Sequence, residues 1–162
     1  MTTDAQAYAG ATALGVMAGM RSMSAPALIS QVARKGQLAV EGSKLGFLNS
    51  RGAISTTALL ALGELVADKL PFTPARTSGG PLIARAVSGA FCGAVLCSAK
   101  KKSPWLGAFY GTLGALGGTF AAYHLRRSVE QNFKLPDAVV AVAEDAVLAG
   151  SAFLIARQLA ED

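Results

Sequence analysis

Two carboxylates four residues apart inside an apolar run constrain this chain more than any other feature. The run is Leu59-Leu60-Ala61-Leu62-Gly63-Glu64-Leu65-Val66-Ala67-Asp68-Lys69-Leu70-Pro71. Its composition predicts a helix that is apolar nearly all round, so Glu64 and Asp68 share one face about a turn apart. Like charges at that spacing repel, and apolar neighbours raise the cost of ionising both. A chain carries such a pair when a basic partner, a bound cation or a shared proton compensates it.

The surroundings repeat the pattern. Among 162 residues, 52% are hydrophobic, 15% are charged and 18 are glycine, against about 25% charged and about 7% glycine in an average soluble chain. Small residues that let helix backbones approach closely, combined with few charges, are typical of packed membrane helices. The net charge of +5 comes largely from clusters at the ends of apolar runs, including Arg34-Lys35, Lys100-Lys101-Lys102 and Arg126-Arg127. There they meet headgroups or snorkel to the interface. No basic helix face interleaved with aromatics is present, which argues against nucleic acid as a partner. Met1 to Gln6 lacks the basic region of a removable signal peptide.

The expected fold is all-α: a polytopic helical membrane bundle of about five spans forming one domain over residues 1–162. The first apolar segment, about Ala5 to Ala33, is expected to be broken or kinked near Arg21-Pro26. Proline removes a helical hydrogen bond and disfavours helix at the residue before it. The segment is therefore one kinked helix or two half-helices. Further helices are expected at about 53–70, 82–99 and 103–125, and from Pro136-Asp137 to about 159. Ser103–Leu125 is the run that most resembles a membrane span on sight. Its glycines 107, 111, 114 and 118 form a stripe for helix packing. A loop is expected over 126–135. An Arg-Ser pair ends a glycine-rich run twice, at Arg21-Ser22 and Arg127-Ser128, and an acid-bearing helix follows each. That is a faint sign of an inverted repeat.

Charges within spans are costly, at about 2.5–3.5 kcal/mol each on insertion scales, so they face the bundle interior and find partners. The candidate substrate- or ion-binding residues are therefore Arg21, Ser22, Glu64, Asp68, Glu144 and Asp145. Lys69, Arg85 and His124 are expected nearer helix ends. Cys92 and Cys97, with no further ligand nearby, read as small buried apolar residues rather than a metal site. With no nucleophile–base pairing, phosphate-binding glycine loop or histidine-rich ligand set, neither an enzyme nor a cofactor is implied.

Three stretches carry a resemblance to a known family: Gly19-Met20-Arg21-Ser22 followed by Pro26; Glu64-Leu-Val-Ala-Asp68-Lys69-Leu70-Pro71; and Pro136 leading to Glu144-Asp145. Across about Ala9 to Arg157 the chain resembles an uncharacterised bacterial integral-membrane family known only as a domain of unknown function. The resemblance implies a multi-pass protein of the bacterial inner membrane and no established activity. Two functions fit the charges. One is a channel or transporter for a proton, cation or small solute. The other is a structural or assembly protein, as a homo-oligomer or alone, whose buried charges and glycine faces fix helix packing.

Overall fold

The computed structural model describes residues 3–38, 45–67, 79–133 and 137–161. Among them all regular structure is helical. The order is α1 (Asp4–Met20), α2 (Ser24–Arg34), a 3₁₀ turn (Gly46–Asn49), α3 (Arg51–Ala67), α4 (Gly79–Ala99), α5 (Pro104–Phe133) and α6 (Asp137–Glu161).

The first apolar segment is two helices rather than one kinked helix. α1 starts with a capping box: the Gln6 amide N–H donates to the Thr3 hydroxyl, and the Thr3 N–H donates to Gln6 Oε1 at 2.8 Å. It stops at Arg21, whose backbone is extended (φ −144°, ψ 123°). α2 resumes at Ser24 and places Pro26 in its first turn, where a missing N–H costs no helical bond. The break therefore falls at Arg21–Met23, ahead of the proline.

The centre of the molecule is α5 lying against α1 on one side and α4 on the other. Glycines make that approach possible. A Cβ on Gly93 of α4 would collide with the Gly107 carbonyl of α5, and one on Gly15 of α1 would collide with the Gly111 carbonyl. Gly114 and Gly118 meet the α1 backbone at Thr12 and Val16 in the same way. The glycine stripe expected on α5 is thus a packing face, and it serves two neighbours. Leu14, Met17 and Ala18 of α1 join Cys92, Val95 and Leu96 of α4 in the main buried cluster.

α2, α3 and α6 form a thinner outer layer. Among the described residues α3 packs on α2 and the 3₁₀ turn alone, while α6 lies across α1, α2 and α5.

Several sequence expectations change. α5 runs unbroken through Arg126, Arg127 and Ser128 to Phe133, where a loop was expected. Arg127-Ser128 is consequently mid-helix and is no counterpart of the break at Arg21-Ser22. The break leaves helices of 17 and 11 residues, both short of the roughly 20 that a membrane crossing needs. Among the described residues one helix, α4, is long and apolar enough to cross a membrane. The 103–125 run that stood out by eye contributes to α5, where glycine, threonine and tyrosine dilute its apolar character.

Candidate functional site

Breaking a helix in the interior frees backbone groups that need partners: carbonyls at the end of α1 and N–H groups at the start of α2. Here nearly every partner comes from a different helix. From α3, Glu64 accepts three hydrogen bonds. Oε1 takes the Ser22 N–H at 2.8 Å and the Ser22 hydroxyl at 2.9 Å, while Oε2 takes the Met23 N–H at 2.9 Å. From α4, the Ser88 hydroxyl donates to the Ser22 carbonyl. From α5, the Thr119 hydroxyl donates to the Gly19 carbonyl at 3.0 Å and also faces the Ala115 carbonyl of its own helix. From α6, Asp145 accepts a hydrogen bond from Arg21 Nη2 in an ion pair. Ser24 completes the set locally, its hydroxyl meeting the Arg21 carbonyl at 2.7 Å and the Met17 carbonyl at 3.2 Å.

The electrostatics follow from this arrangement. The Glu64 carboxylate sits at the N-terminus of α2, where the helix dipole favours negative charge. Asp145 is matched by the guanidinium of Arg21, a residue 7% exposed. Each acid thus has its own compensation, one from a helix end and the other from a base. How Asp68, the second acid of the apolar run at 59–71, is compensated lies outside the described residues.

A cavity of about 370 Å³ opens beside the pair, between α2, α3 and α6. Arg21, Ser24, Gln31 and Asp145 give it a polar portion. Leu28, Leu62 and Leu148 with neighbouring alanines make up most of the remaining wall.

Of the six residues expected at a site, the structure gathers Arg21, Ser22, Glu64 and Asp145 around one break. Asp68 and Lys69 lie outside the described residues. Glu144 belongs to α6, but its side chain is likewise outside them. Arg85, expected near a helix end, stands well inside α4 and is 3% exposed. His124 is on α5, its ring edge-on to Tyr123. Cys92 and Cys97 are buried free thiols. Among the described residues no three His, Cys, Asp or Glu side chains come close enough to hold a metal ion.

Sequence reasoning missed Ser88 and Thr119. A signal existed: each hydroxyl residue adjoins a close-approach glycine, Ser88 beside Gly89 and Thr119 beside Gly118. Where backbones touch, a short hydroxyl side chain reaches a carbonyl of the neighbouring helix.

Fold and site together define an all-helical bundle protein organised around a broken N-terminal helix. More particularly, the chain belongs to the family described as Domain of unknown function (DUF4126), which matches residues 9–157. No curated protein and no solved structure matches it.

Proposed function

We propose that this chain is a multi-pass membrane protein of the bacterial inner membrane that binds and passes a small solute at the helix break. The observation that carries the reading is the cavity lined by Arg21 and Asp145 where α1 gives way to α2. Irregular backbone at membrane depth survives where it is buried in protein or lines a cavity, and transporters place substrates against such interruptions.

The distribution of residues supports the bilayer. Arg21, Arg85, Ser88 and Thr119 are buried, while Leu59, Leu62, Ile83, Val87, Phe109 and Phe153 are exposed. A polar interior under a leucine- and phenylalanine-rich exterior suits lipid as the surrounding solvent. Trp105 and Tyr110, both exposed near the start of α5, suit interfacial anchoring. At 30 residues, α5 is about 45 Å long, enough to cross the hydrocarbon core at a tilt.

The test has two stages. Retention in the pellet after alkaline carbonate supports an integral protein, and release into the supernatant removes the reading. In proteoliposomes, solute flux that falls in Asp145→Asn while the fold is retained supports transport. A second reading rests on the three bonds accepted by Glu64: a structural protein whose acids lock helices in register. It predicts that Glu64→Gln and Asp145→Asn lower thermal stability or alter oligomer size, with no flux through the native chain.

A further inference from the structure

Contacts along the central helices fix their relative directions. Gly15 and Gly19 of α1 meet α5 at Gly111 and Ala115, in rising order, so these two helices run parallel. Gly89 and Gly93 of α4 meet α5 at Gly111 and Gly107, in falling order, so α4 runs the opposite way. The start of α1 and the α4–α5 turn therefore share one end of the molecule. Lys102 of that turn pairs with Asp4 at 2.5 Å, and Tyr8 stacks on Tyr110 with ring centroids 5.2 Å apart.

α1 does not carry the chain to the other end. Its break stands level with Ser88, near the middle of α4, and with Thr119, midway along α5. From there α2 turns back. α6 begins three residues after α5 ends, far from the α4–α5 turn, and returns to place Asp145 at Arg21. Beyond Asp145, its Leu148 and Ala152 line one cavity with Leu28 and Gln31 of α2, so both helices leave the break in the same direction. The main buried cluster agrees. It joins Ile29, Val32 and Ala33 of α2 to Val95 and Leu96 from the second half of α4, and among the described residues it takes none from 79–88.

Resting on the bilayer reading above, we infer that α1 and α2 form a re-entrant hairpin that enters and leaves the membrane through one face, and that this face meets the anionic headgroups of the cytoplasmic leaflet. At 11 residues α2 has the length of a re-entrant segment rather than a span. The irregular tip at Arg21–Met23 is enclosed by protein, which is the condition for such backbone at membrane depth. Charge selects the leaflet. Arg34 and Lys35 are exposed at the end of α2, and Lys100, Lys101 and Lys102 form the turn beside the start of α1. Arg126 and Arg127 stand towards the opposite end. Lysine and arginine gather on the cytoplasmic side, where anionic lipids attract them. Trp105, 84% exposed next to the lysine turn, belongs at the same headgroup level.

The test places single cysteines in the full chain and leaves every charge in place: Ala5→Cys, Gln37→Cys, Pro104→Cys and Ser128→Cys. A membrane-impermeant maleimide is applied to inside-out and right-side-out vesicles. The native chain, whose two thiols are buried, is the blank. Ala5→Cys, Gln37→Cys and Pro104→Cys are expected to label in inside-out vesicles alone, and Ser128→Cys in right-side-out vesicles alone. A second arm needs no substitution. An impermeant amine reagent, read by mass spectrometry, should modify Lys35 and Lys101 of the native chain from the same side.

Labelling of Gln37→Cys or Lys35 from the side opposite Pro104→Cys or Lys101 would overturn the hairpin and leave the bilayer reading intact. Labelling of all three hairpin-face positions from outside would overturn the assignment to the cytoplasmic leaflet. Release of the chain by alkaline carbonate, or labelling of all four cysteines in both preparations, would remove the bilayer reading and the hairpin with it.

Discussion

Glu64 caps a helix to which it does not belong. Met23, the residue from which α2 starts, makes no capping bond with its own side chain. Its N–H instead donates to Glu64 Oε2 at 2.9 Å, from 41 positions further along the chain. An N-cap is ordinarily a local matter of one residue and the turn that follows it. Supplied from α3, it is also a tertiary contact, adding to the packing of α3 on α2 and the 3₁₀ turn among the described residues.

Replacing Glu64 should therefore cost more than an ordinary cap. Glu64→Ala leaves the Ser22 and Met23 N–H groups without their acceptor, a loss of about 1–3 kcal/mol. Glu64→Gln keeps one carbonyl oxygen but turns an NH₂ toward an N–H donor, so it should fall between alanine and the native residue. Thermal melts in detergent rank the three. Equal melting temperatures for Glu and Ala would show that the contact carries no stability.

Thr119 offers a cleaner test of the same break. Thr119→Val keeps the shape of the side chain and removes the donor to the Gly19 carbonyl, at an expected cost of about 1 kcal/mol. Thr119→Ser keeps the hydroxyl and should recover most of that loss. A valine variant as stable as the serine variant would remove Thr119 from the account.

The glycines on α5 should separate sharply by position. Gly107→Ala places a methyl group against the Gly93 carbonyl and the Cys97 side chain. The helices must move apart, and a loss above about 3 kcal/mol is expected from overpacking and lost contacts. Gly117, on the same helix, has nothing within 4 Å of where its Cβ would stand. Gly117→Ala should be neutral or stabilising by up to about 1 kcal/mol. Matched melts of the two variants decide the point.

The ion pair between Arg21 and Asp145 should show coupling in a double-mutant cycle. Arg21→Gln and Asp145→Asn each remove one side of this pair and leave the other charge near the protein interior, while the double variant removes both. The two single losses should exceed the loss in the double variant by about 1–2 kcal/mol. Additive losses would mean that the two residues act independently.

The sequence made the costly charges visible and left their assignments open. Glu64 stood out because an acid in an apolar run demands a partner, and Arg21 and Asp145 stood out for the same reason. That Glu64 would take backbone N–H groups while Asp145 took the arginine depends on helix rotation, which periodicity within one helix does not encode. Ser88 and Thr119 were hidden for another reason. A helical hydroxyl usually bonds the carbonyl four residues back, as Thr12, Thr57, Thr112 and Ser151 do here. The adjoining close-approach glycine marks the two that also reach, or instead reach, another helix, but it does not single them out, because Thr112 beside Gly111 carries the same mark and bonds within its own helix. The end of α5 was misjudged because Arg126-Arg127 reads as a membrane boundary. Arginine, glutamate and glutamine are nevertheless good helix formers, and the helix continues after the apolar run stops.

The wide sequence separations at the break carry a consequence for how the chain is made. As synthesis proceeds, the backbone at Ser22 and Met23 emerges early, yet its acceptor Glu64 follows only after about forty more residues. Asp145, which answers Arg21, comes 124 residues later. Until α6 is added, the guanidinium lacks the Asp145 carboxylate. A break near the start of the described residues is thus completed by their last helix, so this part of the interior closes only once α6 has been added. A chain interrupted before α6 would carry Arg21 without the Asp145 carboxylate and leave the break incompletely assembled.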